Sequence, residues 1–181
     1  MKKLFIVLLA IGVVASPQIS AAQSAAPTPA PTVALTETGI LNAPAGWTTS
    51  PPKFTWNGFT AITMWNPPAP QSPGDSIILG YVASPAGTTL ADTAQAMDAT
   101  YQKLFGAANV AASRAQMVCS GNQPGWYFEN KITFGTFNLV SEQTIIVGKS
   151  HLFEATYTRQ SSEPEDSAAR AALNSLCVKP L

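Results

Sequence analysis

The pattern that organises the chain lies between Thr136 and Thr158, TFNLVSEQTIIVGKSHLFEATYT, which is rich in β-branched and aromatic residues. Two β-rich segments in this stretch flank Gly148, Lys149 and Ser150, a short polar connection that favours a tight reversal. The pattern predicts a long β-hairpin. Because an isolated hairpin is at best marginally stable, we expect the rest of the chain to supply further strands and a covering helix.

The clearest helical pattern lies between Thr89 and Gly106. Thr89 is placed to cap its start, and Gly106 is placed to end it. Its apolar residues recur at helical spacing, at Leu90, Ala94, Met97, Tyr101, Leu104 and Phe105. Because the opposite side is polar, the pattern predicts an amphipathic helix on a sheet, with a partner-binding helix as the alternative.

Further segments have the composition of strands, and Ser76–Ala83 is so apolar that both its faces should be covered. In its predicted strand, Asn130 lies on the same side as the apolar residues, so it needs a hydrogen-bond partner.

Turns and loops are predicted between the strands. Gln123-Pro124-Gly125 suits a type II turn, and the prolines between Asn66 and Gly74 predict a surface loop. The predicted strands are an edge segment between Ala43 and Pro52, then Phe54–Trp65, Ser76–Ala83, Ala112–Cys119 and Trp126–Thr133.

The C-terminal part of the chain predicts a second helix. Ser162-Glu163-Pro164-Glu165 matches a capping box, and an apolar stripe from Ala169 to Cys177 follows it. Pro180 is expected to end this helix. The order of elements predicts one α+β domain in which helices pack on an antiparallel β-sheet.

The N-terminal region has the pattern of a secretory signal peptide at residues 1–22. A basic start precedes an apolar run too short to span a bilayer comfortably, and small residues precede the expected cleavage after Ala22. A retained N-terminal anchor is the alternative. Residues 23–39 are rich in proline and alanine, which favours a disordered tether. Residues 40–181 then have the length of one ordinary domain.

Charge is low and balanced along the chain. There are 10 basic and 10 acidic residues, and loss of Lys2 and Lys3 with the leader would leave 8 against 10. Because Lys and Arg are not clustered, we do not expect nucleic-acid binding. The composition indicates a soluble exported protein, periplasmic or secreted, with no stable membrane insertion after cleavage of the leader.

Two cysteines, Cys119 and Cys177, lie in the predicted domain. In an oxidising compartment such a pair favours a disulfide, with two free thiols as the alternative. Closing a loop of this length would stabilise the folded state by about 4 kcal/mol in the chain-entropy model. A metal site is not expected, because neither a Cys-x-x-Cys motif nor a nearby histidine accompanies them.

Recognisable catalytic motifs are absent from the sequence. His151 is the single histidine, and it follows the predicted hairpin turn, where an exposed and mobile side chain is expected. There is no Gly-x-Ser-x-Gly and no glycine-rich phosphate loop. Glu163, Glu165 and Asp166 are typical of the first turn of a helix, with a cation site as the alternative. We therefore predict no catalytic residue, cofactor or metal.

Trp56, Trp65 and Trp126 lie at starts or ends of predicted strands. An aromatic cluster there would line a groove for a peptide, a sugar or an apolar ligand. Core packing is the favoured alternative. These residues form the candidate ligand or partner surface.

Several segments resemble the PsbP-like α/β/α sandwich family. They are Pro44-Ala45-Gly46-Trp47, the helix after two strands, and Phe153–Thr158 followed by an acidic linker and Ala171–Leu176. The family includes the extrinsic photosystem protein PsbP, a nuclear Ran-binding factor and exported bacterial proteins of unassigned role. The resemblance covers nearly all of Ala43 to Leu176, and the tether is similar to that of the bacterial members. It implies a small non-enzymatic domain that attaches to, or assists, a larger assembly.

Three functions follow from these observations. The leading hypothesis is an exported accessory or binding protein that acts through surface contact with an unidentified protein or small ligand. The second is a carrier of a small apolar ligand in a pocket between helix Leu90–Phe105 and the sheet. The third, a hydrolase using Glu129 or His151, has no motif in its support.

Overall fold

The computed structural model describes residues 35–52, 55–56, 58–68, 75–134 and 136–181. The predicted signal peptide and residues 23–34 of the predicted tether lie outside this range. The centre of the predicted proline-rich loop, residues 69–74, also lies outside it. For Trp56 only the backbone is described.

Strands dominate the described residues. The helices are α1 (Leu90–Phe105) and α2 (Ser167–Asn174), and one turn of 3-10 helix covers Ala107–Asn109. The strands are β1 (Glu37–Ile40), β2 (Thr48–Ser50), β3 (Thr55–Trp56), β4 (Phe59–Asn66), β5 (Ser76–Ala83), β6 (Val110–Val118), β7 (Gln123–Phe134), β8 (Phe137–Val147), β9 (His151–Gln160) and β10 (Cys177–Pro180).

The main sheet is antiparallel and has the order β2-β4-β5-β9-β8-β7-β6, with β3 also paired to β4. A separate two-stranded sheet pairs β1 with β10. The predicted long hairpin is confirmed as β8 and β9, which have partner strands on both sides. The predicted central position of Ser76–Ala83 is also confirmed, because β5 lies between β4 and β9.

Each face of the main sheet is covered by a different helix. On the face that we call the α2 face, Ala172 and Leu173 pack with Ile77, Phe153 and other buried residues of the sheet. On the opposite α1 face, a smaller apolar cluster contains Ala94, Met97, Tyr101, Phe128, Ile145 and Leu152. Successive strand residues alternate between the two faces. The result is the predicted α+β sandwich with helices on both sides of an antiparallel sheet.

Helix α1 begins and ends where its sequence predicts. The hydroxyl of Thr89 accepts a hydrogen bond from the backbone N–H of Asp92 at 3.1 Å. Gly106 has a φ of 89°, a conformation that glycine adopts without steric cost. Ala94, Met97 and Tyr101 form its buried stripe.

Two predictions about the sheet were wrong in detail. The segment Phe54–Trp65 is divided into β3 and β4, since Gly58 reverses the chain with a φ of 83°. The turn predicted at Gln123-Pro124-Gly125 lies earlier, at Cys119–Asn122. Gly125 instead lies within β7, where an added Cβ would come within 3.0 Å of the carbonyl oxygen of Ile145. This glycine allows two strands to approach closely.

The C-terminal prediction was also wrong. Helix α2 starts at Ser167, because the carboxylate of Asp166 accepts hydrogen bonds from the backbone N–H groups of Ala168 and Ala169. It ends at Asn174, so Pro180 does not end it. Cys177–Pro180 forms β10, because β1 offers it a complete antiparallel partner. That partner lies at the other end of the chain and has no local signal in the sequence.

The disulfide predicted between Cys119 and Cys177 is present, with Cα atoms 4.7 Å apart. It joins the β6–β7 turn to the first residue of β10, rather than to the last turn of a helix as the sequence suggested. Beside it, the side-chain amide of Gln123 exchanges two hydrogen bonds of 2.8 Å with the backbone N–H and C=O of Val178. The small sheet is therefore held to the main sheet covalently and by an amide that mimics a strand partner. Since β1 starts at Glu37, the predicted boundary between residues 39 and 40 falls inside it.

Candidate functional site

The most unusual feature of the described residues is a row of buried polar side chains on the α1 face. Asn130, Ser141 and Thr158 lie side by side on β7, β8 and β9, because Asn130 pairs with Ser141 and Ser141 pairs with Thr158. Each residue is 1% exposed. We call these three residues the polar row.

Among the residues that the structure describes, none provides a hydrogen-bond partner for the side chains of the polar row. The unpartnered atoms are Asn130 Nδ2 and Oδ1, Ser141 Oγ and Thr158 Oγ1. A buried polar group without a partner costs about 1–3 kcal/mol, so most such groups in proteins are satisfied. The sequence pattern identified Asn130 as a core-parity exception that needs a partner, and the structure provides none among the described residues.

The next residues along the same strands are polar as well, but they are satisfied. Tyr101 of α1 donates its hydroxyl hydrogen to Gln143 Oε1 at 2.5 Å, and Thr156 donates to Glu154 Oε1 at 2.7 Å. Burial raises the pKa of Glu154, while the hydrogen bond from Thr156 acts in the opposite direction. Burial also raises the pKa of Tyr101, and the carboxylate of Glu154 adds to that effect. The α1 face therefore favours the neutral forms of its acid and its phenol.

The groups of the polar row are enclosed, since each residue is 1% exposed, and all of them are uncharged. The polar row offers one amide and two hydroxyl groups, which donate and accept hydrogen bonds and carry no charge. Burial makes the charged form of Glu154 less favourable than that of an exposed carboxylate, because it raises the pKa of this group. The chemistry fits hydroxyl, amide or water oxygen atoms better than it fits an ion or an apolar tail. Beneath α1, Met97 and Tyr101 pack with the apolar residues Phe128, Ile145 and Leu152, and the Tyr101 hydroxyl reaches the polar Gln143 at the border of this cluster.

The α2 face buries charged residues in a network of hydrogen bonds and ion pairs, in which Glu142 Oε1 and Arg159 Nε have an ion-pair contact but no hydrogen bond. Glu142 is fully buried, and its Oε2 accepts hydrogen bonds from Arg170 Nε at 3.0 Å and Nη2 at 2.8 Å. Oε2 also accepts from the Tyr127 hydroxyl at 3.1 Å, and Arg159 Nε lies 3.5 Å from Glu142 Oε1. Arg170 reaches Glu165 at 2.7 Å as well. This network fixes the start of α2 on the sheet.

Glu129, a candidate for the hydrolase hypothesis, belongs to the same network. Its carboxylate accepts a hydrogen bond from the Tyr127 hydroxyl at 3.1 Å and lies 3.5 Å from Arg170 Nη2. Burial, followed by the charges of Glu142 and Glu129, raises the pKa of Tyr127 well above its ordinary value. The phenol is therefore held protonated and is a poor nucleophile.

His151 differs from its prediction, because its side chain is buried and only 3% exposed. Its Nδ1 lies 2.8 Å from Ser150 Oγ, and its ring meets the edge of the Tyr81 ring with centroids 5.1 Å apart. Strand β9 begins at His151, which places the imidazole in the layer of the sheet instead of in the turn. Within the described residues no carboxylate is hydrogen-bonded to this imidazole, so the third member of a catalytic triad is missing there.

The tryptophans proposed as a common surface lie apart where their side chains are described. Trp65 is buried in the cluster on the α2 face, whereas Trp126 packs partly buried on the α1 face. The indole N–H of Trp126 donates to Ser113 Oγ at 2.8 Å, and Ser113 donates to Asp98. Trp65 and Trp126 thus do not line one groove, and the side chain of Trp56 lies outside the described residues.

The predicted acidic group has structural roles. Asp166 caps α2, Glu165 pairs with Arg170, and Glu163 accepts a hydrogen bond from the backbone N–H of Gln160 at 3.0 Å. In the described ranges, no three His, Cys, Asp or Glu residues are grouped so as to hold a metal ion. Nor does any helix there have the length and apolar character needed to cross a membrane.

A surface cleft of about 380 Å³ lies where the β8–β9 turn meets the small sheet. Its polar lining residues Glu37 and Gln123 are already engaged, since Glu37 accepts a hydrogen bond from the backbone N–H of Lys149 at 2.7 Å and Gln123 binds Val178. The cleft therefore offers fewer unsatisfied groups than the polar row.

Sequence reasoning found Asn130 but missed Glu154, Thr156 and Thr158. In β9 the apolar residues Phe153, Ala155 and Tyr157 alternate with polar ones. Alternation therefore predicts that the polar residues between them face solvent. The structure buries both parities of β9. A usable signal was available in the pairing of the hairpin, which places Ser141 opposite Thr158 and Gln143 opposite Thr156.

Comparison with solved structures finds LpqN, which is involved in cell envelope biogenesis of Mycobacterium tuberculosis. The match has a TM-score of 0.60 and 14% sequence identity, and it covers 80% of this chain and 84% of LpqN. A cyanobacterial PsbP, CyanoP from Synechocystis sp. PCC 6803, matches with a TM-score of 0.49 and 10% identity over 75% of this chain and 87% of that chain. No protein-family model and no curated protein matches the sequence.

At 14% identity, the match to LpqN shows a shared fold and does not transfer a function. The fold predicted from the sequence, a PsbP-like α+β sandwich in one domain, is confirmed.

Proposed function

We propose that this protein is an exported accessory protein that acts by binding and not by catalysis. The observation that carries the proposal is the state of its reactive side chains. Among the described residues, His151, Glu142 and Tyr127 are buried, and their polar atoms contact Ser150, Arg170 or each other. An enzyme needs such groups within reach of a substrate.

Two further observations support export and an accessory role. The Cys119–Cys177 disulfide is typical of proteins from oxidising compartments. The protein of like fold, LpqN, is named for cell envelope biogenesis. Surface contact with a larger assembly is the mode of action that we infer for this chain.

The proposal is tested by native mass spectrometry of the protein purified gently from its own cells, combined with turnover assays on chromogenic ester and glycoside substrates. We expect a retained protein partner and no turnover. Turnover that is abolished in His151→Ala or Glu129→Gln, with the fold intact by circular dichroism, would show that the protein is an enzyme and overturn the proposal.

A second candidate function is a carrier of a small uncharged polar ligand at the polar row. It is favoured by the unpartnered atoms of Asn130, Ser141 and Thr158. In the same mass spectra it predicts a bound small mass in place of a protein. That mass should be lost in the Ser141→Ala/Thr158→Val double variant and kept in Thr156→Val, whose hydroxyl is already bonded to Glu154.

A further inference from the structure

The two edges of the main sheet differ in length and in protection. At one edge, β4 is covered by β2, which has 3 residues, and by β3, which has 2 residues. At the other edge lies β6, which has 9 residues and pairs only with β7 among the described strands. An unpaired edge presents a row of backbone donors and acceptors to another strand.

Strand β6 lacks the usual side-chain protection of an edge. Natural edge strands often carry charged residues, above all lysine, or proline. The sequence of β6 is VAASRAQMV, in which Arg114 is the single charge. The guanidinium of Arg114 lies over the ring of Tyr127, 4.4 Å from its centroid, so it is held on the α2 face of the sheet. Met117, by contrast, is 57% exposed.

A register shift between Val110 and Ala112 makes Ala111 an extra residue and leaves Ala112–Val118 as the regular part of the strand. The centre of that part is Ala115. Two copies related by a twofold axis perpendicular to the sheet can pair along this whole segment, with Ala115 opposite Ala115 of the second copy. The axis keeps the two faces of the sheet continuous, since paired residues of antiparallel strands lie on one face.

This register suits the side chains of β6. Arg114 lies opposite Gln116 of the second copy, and Ser113 lies opposite Met117 of the second copy. The register one residue away, centred on Arg114, would instead place two arginines directly opposite each other, which is destabilising. A twofold contact is isologous, so one strand that fits its own copy is sufficient to form it.

We propose that the protein forms a symmetric dimer in which β6 pairs antiparallel with β6 of a second copy, centred on Ala115. This inference is independent of the proposed function, because it depends on the free edge alone. A single strand pair lies at the small end of interface sizes, so the dimer is weak, with a dissociation constant in the micromolar range.

Sedimentation velocity over a range of protein concentrations tests the proposal. We expect a reversible monomer–dimer equilibrium for the chain, which has a mass of 19.0 kDa before any processing. Ala115→Arg places two like charges opposite each other and should weaken dimerisation at least tenfold. The matched control is Thr49→Arg, an exposed residue on the protected edge, which should dimerise like the wild type. A monomer at every concentration, or a dimer unaffected by Ala115→Arg, would overturn the proposal.

Disulfide trapping gives a second readout that does not depend on the fold of the arginine variant. Residues directly opposite in an antiparallel pair have Cβ atoms about 4.5–5.5 Å apart. Ala115→Cys should therefore form an intermolecular disulfide under mild oxidation. Met117→Cys should not, because its counterpart lies across from Ser113. Equal cross-linking of the two variants would contradict the assigned register.

Discussion

Glu142 on the α2 face and Thr158 on the α1 face are buried to nearly the same extent, yet their side chains differ in what they contact. The Glu142 carboxylate accepts hydrogen bonds from Tyr127 and Arg170, whereas the Thr158 hydroxyl has no partner. The α2 face also carries the disulfide and the small sheet that closes the chain. Two atoms of the α2 face, Glu142 Oε1 and Arg159 Nε, also lack a hydrogen bond, but they form an ion pair of 3.5 Å. The contrast indicates that the α2 face stabilises the fold, while the polar row on the α1 face holds buried groups with no partner among the described residues.

Removal of the disulfide tests the stabilising role of the α2 face most strongly. Cys119→Ala/Cys177→Ala should lower the free energy of unfolding by about 4 kcal/mol, because the unfolded chain is no longer constrained by the bridge. Urea denaturation followed by tryptophan fluorescence measures the change. The reduced wild-type protein is the control and should be destabilised similarly, while an unchanged midpoint after reduction would contradict the prediction.

Removal of Arg170 should have the next largest effect. Arg170→Leu leaves the buried carboxylate of Glu142 without its closest cation, and we expect a loss of about 2–4 kcal/mol. Arg159 remains near Glu142 and limits the loss. The matched control is Arg114→Leu, which also removes a guanidinium over the Tyr127 ring but no ion pair, and which should cost less than about 1 kcal/mol. Similar losses in the two variants would show that stacking, not charge, fixes α2.

A smaller change of opposite sign is expected on the α1 face. Thr158→Val replaces an unpartnered hydroxyl with a methyl group of similar size, so it should stabilise the protein by about 1 kcal/mol. Thr156→Val is the matched control on the same strand and face, and it should be destabilising because it removes the hydrogen bond to Glu154. Thermal denaturation compares the two. Destabilisation by Thr158→Val would mean that the polar row is already satisfied, for example by ordered water.

The smallest effect is expected in the pH dependence of stability. Because the pKa of Glu154 is raised in the folded protein, its folded form binds a proton more tightly than its unfolded form does. The wild type should therefore lose stability as the pH rises above the ordinary pKa of 4.5, until the raised pKa is passed. Glu154→Gln lacks this loss.

The melting temperature of Glu154→Gln should exceed that of the wild type by a few degrees at pH 7, and the gap should close toward pH 4. A constant difference between Glu154→Gln and the wild type at every pH would contradict the assigned pKa direction.

Much of the fold could be predicted from local sequence. The β8–β9 hairpin follows from two β-rich segments on either side of the turn at Gly148–Ser150, and α1 follows from its periodicity and from Thr89 and Gly106. The C-terminal strand could not be predicted, because its partner β1 lies at the other end of the chain. A capping box at Ser162 was a plausible local signal, but Asp166 is nearer to the apolar stripe and caps the helix instead.

The candidate site was predictable only in part. Asn130 was identified because it is a polar residue at a position where its strand is otherwise apolar, and this can be seen from the local sequence. Thr158 lies on the side of its strand that alternation predicts to face solvent. It is buried because both faces of the sheet are covered, and this cannot be seen from the sequence of one strand. His151 was misplaced for a related reason: the turn lies at Gly148–Ser150 as expected, but the next residue already belongs to β9 and its imidazole packs against Tyr81.

The small sheet also determines how the domain carries mechanical load. Glu37 pairs with Pro180 and Ile40 pairs with Cys177, so both ends of the described chain leave the domain at the same point. A force that pulls these ends apart opens the β1–β10 pairs one at a time from that point. Peeling of the C-terminal strand stops after four residues, at Cys177, because the covalent bond to Cys119 transfers the force into the main sheet. Of the core cluster on the α2 face, this peeling removes only Val178, while Leu173 and Leu176 precede Cys177 and stay in place.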